Sequence, residues 1–115
     1  MKSKEKIKII GEQQVQPHSD ETEIAVLATL MRYNEKFNEY SDILTAEMFY
    51  QEKNQSIYQC IAGVIAENKV SDIKALLDYA KTHEFVYPLD ETCFLEIVQF
   101  VSVDTLEQDI LRLRN

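Results

Sequence analysis

The stretch QEKNQSIYQCIAGVIAEN, residues 51–68, decides the fold class. Ile57, Ile61 and Ile65 recur at every fourth position in it, which is the spacing of one face of an α-helix. No other apolar stripe in the chain is as long, so we predict that this stretch forms the central helix. Gly63 lies within it and costs a helix interior roughly 1 kcal/mol relative to alanine. A glycine in this position indicates close contact, and we expect Gly63 to face another helix.

The same 3.6-residue period and residues typical of helix starts predict further helices on both sides of this stretch. The chain of 115 residues has only 2 Gly and 2 Pro, too few for the many turns of a sandwich or barrel. We therefore predict an all-α fold, a compact orthogonal bundle of about six to seven short helices. The predicted helices cover about 19–31, 34–40, 51–68, 71–82, 90–101 and 104–115, and a short capped turn is predicted at 45–49.

The sequence predicts caps for both C-terminal helices and the buried face of one of them. Asp90 is predicted to cap a helix, and Asp104 is predicted to cap the last one, with Glu107 three positions later in the spacing of a capping box. The buried face of the helix that follows Asp90 is predicted to consist of Phe94, Leu95, Val98 and Val101.

Charge divides the chain into an arm and a body. Residues 1–16 contain Lys2, Lys4, Lys6 and Lys8 and are predicted to be a flexible basic arm. We expect a globular helical domain over 17–103, and over 104–115 the start of a helix leading to a truncated hairpin or linker, because no Gly or Pro terminator precedes Asn115.

The body of the chain is strongly acidic. The whole chain has a net charge of −8, and residues 17–115, with 18 acidic and 8 basic side chains, have a net charge of −10. Such a body repels phosphates, so we expect no direct nucleic-acid site in it. A basic protein partner matches it better.

Motifs for chemistry are absent from the sequence. It contains no GxxxxGK[ST] loop, no GxGxxG and no CxxC, and Cys60 and Cys93 lie inside apolar runs as expected of buried thiols. His18 and His83 have no His or Cys at helical spacing, so we expect both at the surface and no metal site. No apolar run approaches the roughly 20 residues of a membrane span. We expect a cytoplasmic protein that is not an enzyme.

Several strings in the chain resemble a known family. The segment Pro17-His18-Ser19-Asp20-Glu21-Thr22-Glu23, followed by the apolar run Ile24–Leu27, resembles the opening Pro-x-Ser-x-Glu-Ala-Glu of the N-terminal domain of DnaB-type replicative DNA helicases. Phe49-Tyr50 followed by Ile57-Tyr58 resembles the family's next landmark. The chain departs from the family pattern in three places: Thr22 replaces an alanine, Asn54 replaces a histidine, and Pro88-Leu89-Asp90 replaces a Gly-Gly turn. The resemblance spans about Gln16 to Asn115.

This resemblance implies a role without chemistry in this chain. Such domains form the collar of a hexameric helicase ring and contact primase and helper or loader proteins, so the expected partners are a second copy of the domain, primase and such helpers. ATP and magnesium would belong to a motor domain that is absent here. Exposed aromatic side chains are the usual anchors of protein interfaces. Our candidate partner-binding residues are Tyr33, Phe37, Tyr79, Phe85 and Tyr87.

Three alternative functions remain open at this point. The helicase-binding domain of primase resembles the same small helical fold. An unrelated helical adaptor could bind a basic partner. A nucleic-acid binder that uses the lysine-rich arm is disfavoured by the acidic body.

Overall fold

The computed structural model describes residues 20–114, so the predicted arm at 1–16 lies outside the described residues, as do His18 and Asn115. The described part of the chain consists of helices and loops and contains no strand. The prediction of an all-α fold is therefore confirmed. The six α-helices are α1 (Asp20–Arg32), α2 (Asn34–Tyr40), α3 (Glu52–Ala66), α4 (Ile73–Thr82), α5 (Glu91–Leu95) and α6 (Leu106–Arg114). Short 3-10 turns occupy Ala46–Met48, Val98–Phe100 and Val103–Thr105.

Helix α1 packs against more elements than any other helix of the bundle does. It packs against α2, α3, α6 and the turn at Val98–Phe100. An unbroken run of α1 is buried, because these contacts cover more than one of its faces. Each large apolar side chain in such a core contributes about 1.5–3 kcal/mol by leaving water. The fully buried apolar side chains of the core include Val26, Leu27, Leu30, Phe49, Ile57, Ile61, Val64, Leu76, Phe94 and Ile110.

Helix α3 forms where its isoleucine stripe predicts, but α1 packs against more elements and is the more central helix. Ile57 and Ile61 are completely buried in the core. Gly63 faces α4, as predicted, and a Cβ atom added there would collide with the ring of Tyr79. The glycine therefore allows α3 and α4 to approach each other closely.

The end of α3 is defined by a left-handed residue. Asn68 has a φ of 62°, and its amide donates to the carbonyl of Ile65 at 2.9 Å. The next amide, that of Lys69, reaches back to the carbonyl of Val64 at 3.2 Å. This pair of bonds is the Schellman motif, in which asparagine is the usual substitute for glycine. It turns the chain towards α4.

Aspartate side chains cap two helix starts, and the cap at Asp90 confirms the prediction. The Asp72 carboxylate accepts from the amide of Ala75 at 2.9 Å at the start of α4, and that of Asp90 accepts from the amide of Cys93 at 3.1 Å at the start of α5. Each side chain pairs an amide that the first helical turn would otherwise leave without a partner.

The predicted length of the helix after Asp90, and part of its predicted buried face, are wrong. Helix α5 ends at Leu95, and Leu95 and Val98 are 50 % and 36 % exposed. Phe94 is buried as predicted, and Cys93 and Ile97 complete the buried side. The segment leaves the helical path because residues 98–102 cross α1, where the amide of Ser102 donates to Thr29 Oγ1 at 2.9 Å. Here tertiary packing overrides the helical period.

The last helix begins two residues later than predicted. Asp104 lies inside the turn Val103–Thr105, and α6 starts at Leu106, so the predicted capping box of Asp104 and Glu107 does not form. A different pair closes this start, because Thr105 Oγ1 donates to Asp109 Oδ2 at 3.0 Å. Asp109 is 6 % exposed in this arrangement.

Candidate protein-docking surfaces

A buried carboxylate fixes the N-terminal end of α1. Glu23 is only 1 % exposed, and its two oxygens accept from the Tyr50 amide at 2.7 Å and from Asn54 Nδ2 at 2.8 Å. Hydrogen bonds to a charged acceptor are the strong ones, and they offset the cost of removing the carboxylate from water. We call this arrangement the Glu23 tie. It joins the first turns of α1 and α3.

The sequence alone did not single out this tie. Glu23 is one of several acids in a first helical turn, a place where acids are usually exposed and interact with the helix dipole. The one available signal was that Glu23 belongs to the opening string of the family, whereas Asn54 stands where the family has a histidine.

A groove with acidic edges lies beside the Glu23 tie. It consists of two adjoining depressions that share Lys53 and Glu96, and we call it the acidic groove. The N-terminal ends of α1, α3 and α5 and the loop before α5 form its walls. Its lining residues are Asp20, Ile24, Gln51, Lys53, Asn54, Tyr87, Pro88, Asp90, Thr92, Cys93, Glu96 and Ile97.

The electrostatics of the acidic groove favour a cationic partner. Lys53 Nζ lies 2.8 Å from Glu96 Oε1, and this hydrogen bond raises the pKa of the lysine. The lysine charge is therefore already paired. The amide of Cys93, which donates to Asp90, lowers the pKa of that carboxyl group below its ordinary value and keeps it ionised. With Asp20 at the other end, the groove carries excess negative charge.

A second groove lies at the C-terminal half of α1, and its lining is mostly apolar. We call it the apolar groove. Val70 and Val98 are 68 % and 36 % exposed on opposite sides of it. Apolar side chains grouped in a groove differ from scattered exposed ones, because such patches mark interaction sites. The lining residues are Ala28, Met31, Arg32, Val70, Ser71, Asp72, Ile73, Val98 and Val101.

Neutral hydrogen bonds position the walls of the apolar groove. Asn34 accepts from the Ser71 amide at 3.0 Å and donates to Ser71 Oγ at 2.7 Å. This pair fixes the loop that carries Val70. On the other side, Thr29 Oγ1 holds the amide of Ser102 and so positions the segment that contains Val98 and Val101.

The five aromatic residues predicted to bind partners lie in three places. Tyr87 lines the acidic groove and is 39 % exposed. Tyr79 and Phe85 lie together, with ring centroids 6.0 Å apart, and His83 stacks on Tyr79 at 3.7 Å. His83 is exposed, as expected.

Tyr33 and Phe37, the other two, are half-buried on or beside α2. Phe37 packs 5.8 Å from the ring of Tyr58, and the Arg32 guanidinium lies 5.1 Å above the ring of Tyr33. The five residues therefore do not form one continuous patch. Their role in partner binding stays a prediction.

Both cysteines are free and buried, as predicted. Burial raises the pKa of the Cys60 thiol to about 12, and burial also raises that of Cys93. Neither thiol is therefore a thiolate near neutral pH, and a thiol in this form is a poor nucleophile. Across residues 20–114, no cluster of three or more His, Cys, Asp or Glu side chains could hold a metal ion.

The helices in the described range are too short or too polar to cross a membrane.

Fold and surface together define a small helical domain with two grooves. A family model described as the DnaB-like helicase N-terminal domain matches residues 15–108. The chain therefore belongs to the family of DnaB-like helicase N-terminal domains. No curated protein matches the sequence. Membership of this family favours the helicase over the primase interpretation of the fold.

Proposed function

We propose that this chain is a non-catalytic collar domain of a replicative DNA helicase, which docks primase or a helper protein and takes part in ring assembly. One observation carries the docking role: the apolar groove presents exposed valines at Val70 and Val98 on walls that hydrogen bonds hold in place. A fixed apolar groove suits an apolar side chain or helix face of a partner, because binding then orders little of the domain itself.

Val70→Asp tests this role directly. Val70 is 68 % exposed, so an aspartate at this position should change the stability of the fold little. On contact with an apolar partner the carboxylate would lose its water, which is unfavourable. We expect binding to the helicase-binding domain of primase, measured by titration calorimetry, to weaken about tenfold or more, as for an interface anchor. The matched control is Val86→Asp, which replaces a valine that is 76 % exposed and lies outside the groove. Equal affinity for both variants would contradict docking at this groove.

Self-association is assigned to the C-terminal segment. Phe100, Val103 and Leu111 are 46 %, 38 % and 45 % exposed, an apolar content that fits a contact between copies. We expect Leu111→Asp to shift the sedimentation profile of the chain towards the monomer. The control is Leu95→Asp, a change of the same type at a residue that is 50 % exposed on α5. A profile that neither substitution changes would contradict this assignment.

A further inference from the structure

The acidic groove combines an apolar floor with acidic edges. Ile24 and Pro88 lie among its lining residues, and Asp20, Asp90 and Glu96 supply three carboxylates. Among the described residues that line it, Lys53 is the one cation, and Glu96 already pairs with it. A fitting occupant therefore has several positive charges together with apolar side chains.

Residues 1–16 of the same chain have this composition. They contain four lysines and two glutamates, a net charge of +2, against −10 for residues 17–115. Ile7, Ile9 and Ile10 stand beside Lys6 and Lys8, so apolar and basic side chains alternate within a few positions. The arm therefore matches the groove in both charge and hydrophobicity.

We propose that the N-terminal arm of this chain occupies its acidic groove, with lysines at the carboxylate edges and isoleucines against the floor. The point of attachment favours this. Asp20, the first described residue of α1, is itself part of the groove lining. Ile10 is ten positions earlier and can reach up to about 33 Å from Asp20 in an extended chain, so the length of the arm does not restrict binding.

The covalent link makes weak affinity sufficient. A short tether gives an effective concentration on the order of millimolar, so an arm with millimolar affinity is bound about half of the time. The apolar groove is a poorer match for the arm, because Arg32 and Asp72 in its lining balance each other.

The test uses the full chain and a variant in which Lys2, Lys4, Lys6 and Lys8 are replaced by glutamine. We expect the substitutions to weaken docking about fivefold, since several exposed charge pairs are lost. Amide chemical shifts of Tyr87, Thr92 and Glu96 should therefore change in the NMR spectrum. The matched control replaces four lysines of the body, Lys36, Lys69, Lys74 and Lys81, and should leave those three shifts unchanged.

Salt concentration is the second variable of this experiment. Raising it from about 50 mM to about 500 mM shortens the Debye length from about 14 Å to about 4 Å. The wild-type shifts should then approach those of the arm variant. Groove shifts that are identical in wild type and arm variant at low salt would overturn the proposal. Shifts that disappear on dilution would also overturn it, because the arm would then bind a second copy. No primase takes part, so this result is independent of the Val70 experiment.

Discussion

The two ends of α1 are held by different chemistry. At the N-terminal end, a buried carboxylate binds the start of α3 and borders a charged groove. At the C-terminal end, neutral hydroxyl and amide groups fix the walls of an apolar groove. A buried charge is costly to leave without partners, whereas a neutral group loses less. We therefore expect the N-terminal end to tolerate substitution less well than the C-terminal end.

The largest effect is expected at the Glu23 tie. Glu23→Ala leaves the Tyr50 amide and Asn54 without their shared acceptor, so we expect a loss of about 3 kcal/mol in the free energy of unfolding, measured by urea denaturation. The neighbouring exposed acid supplies the control, and Glu21→Ala should change stability by less than about 0.5 kcal/mol. Similar values for the two variants would show that the tie does not stabilise the domain.

A smaller effect is expected at the other end of α1. Asn34→Ala removes both bonds to Ser71, which is completely buried, and should cost about 1.5 kcal/mol. It should also speed hydrogen exchange of the Ser71 amide, which loses its acceptor. Asn38→Ala changes an exposed asparagine of α2 and serves as the reference. If Asn34→Ala destabilised the domain more than Glu23→Ala, the contrast between the two ends would be reversed.

The smallest effect is expected at the Asp90 cap when the pH is lowered. The pKa of Asp90 is lowered in the folded chain by the Cys93 amide, so its carboxylate stabilises the fold above the ordinary aspartate pKa, and this contribution is lost as pH falls through the lowered value. Asp90→Asn keeps a capping side chain but cannot titrate. Hydrogen exchange of the α5 amides should therefore depend less on pH below about 4 in this variant.

The control for this measurement neutralises an acidic residue that does not cap a helix. Glu84→Gln lies in the loop after α4 and should leave exchange of the α5 amides as in the wild type. If the α5 amides of the Asp90→Asn variant exchanged at the wild-type rate at every pH, the cap would not respond to acid.

Helix content could largely be predicted from the sequence because it depends on neighbouring residues. The period of α3, the close approach at Gly63 and the Asp90 cap all follow from local spacing, and the structure confirms each of them, whereas the predicted Asp104 cap does not form. The family resemblance also rested on short local strings, and the family match confirms it.

Features that join distant positions were not predictable in this way. Glu23 meets its partner Asn54 across 31 positions, and Thr29 meets Ser102 across 73. The second contact draws the chain out of α5, which explains why the predicted burial of Leu95 and Val98 failed. Both grooves consist of such long-range neighbours, so the sequence could indicate an acidic body and candidate aromatics but not where a partner would fit.

The protonated thiol of Cys60 has a practical consequence. Its side chain is completely buried and donates to the Leu76 carbonyl, whereas that of Cys93 is 5 % exposed and lines the acidic groove. An alkylating reagent reaches a buried thiol when the surrounding structure opens, so the labelling rate at each cysteine measures how often that region opens. The labelling rates of the two thiols therefore report separately on opening at the centre of the bundle and at the wall of a groove.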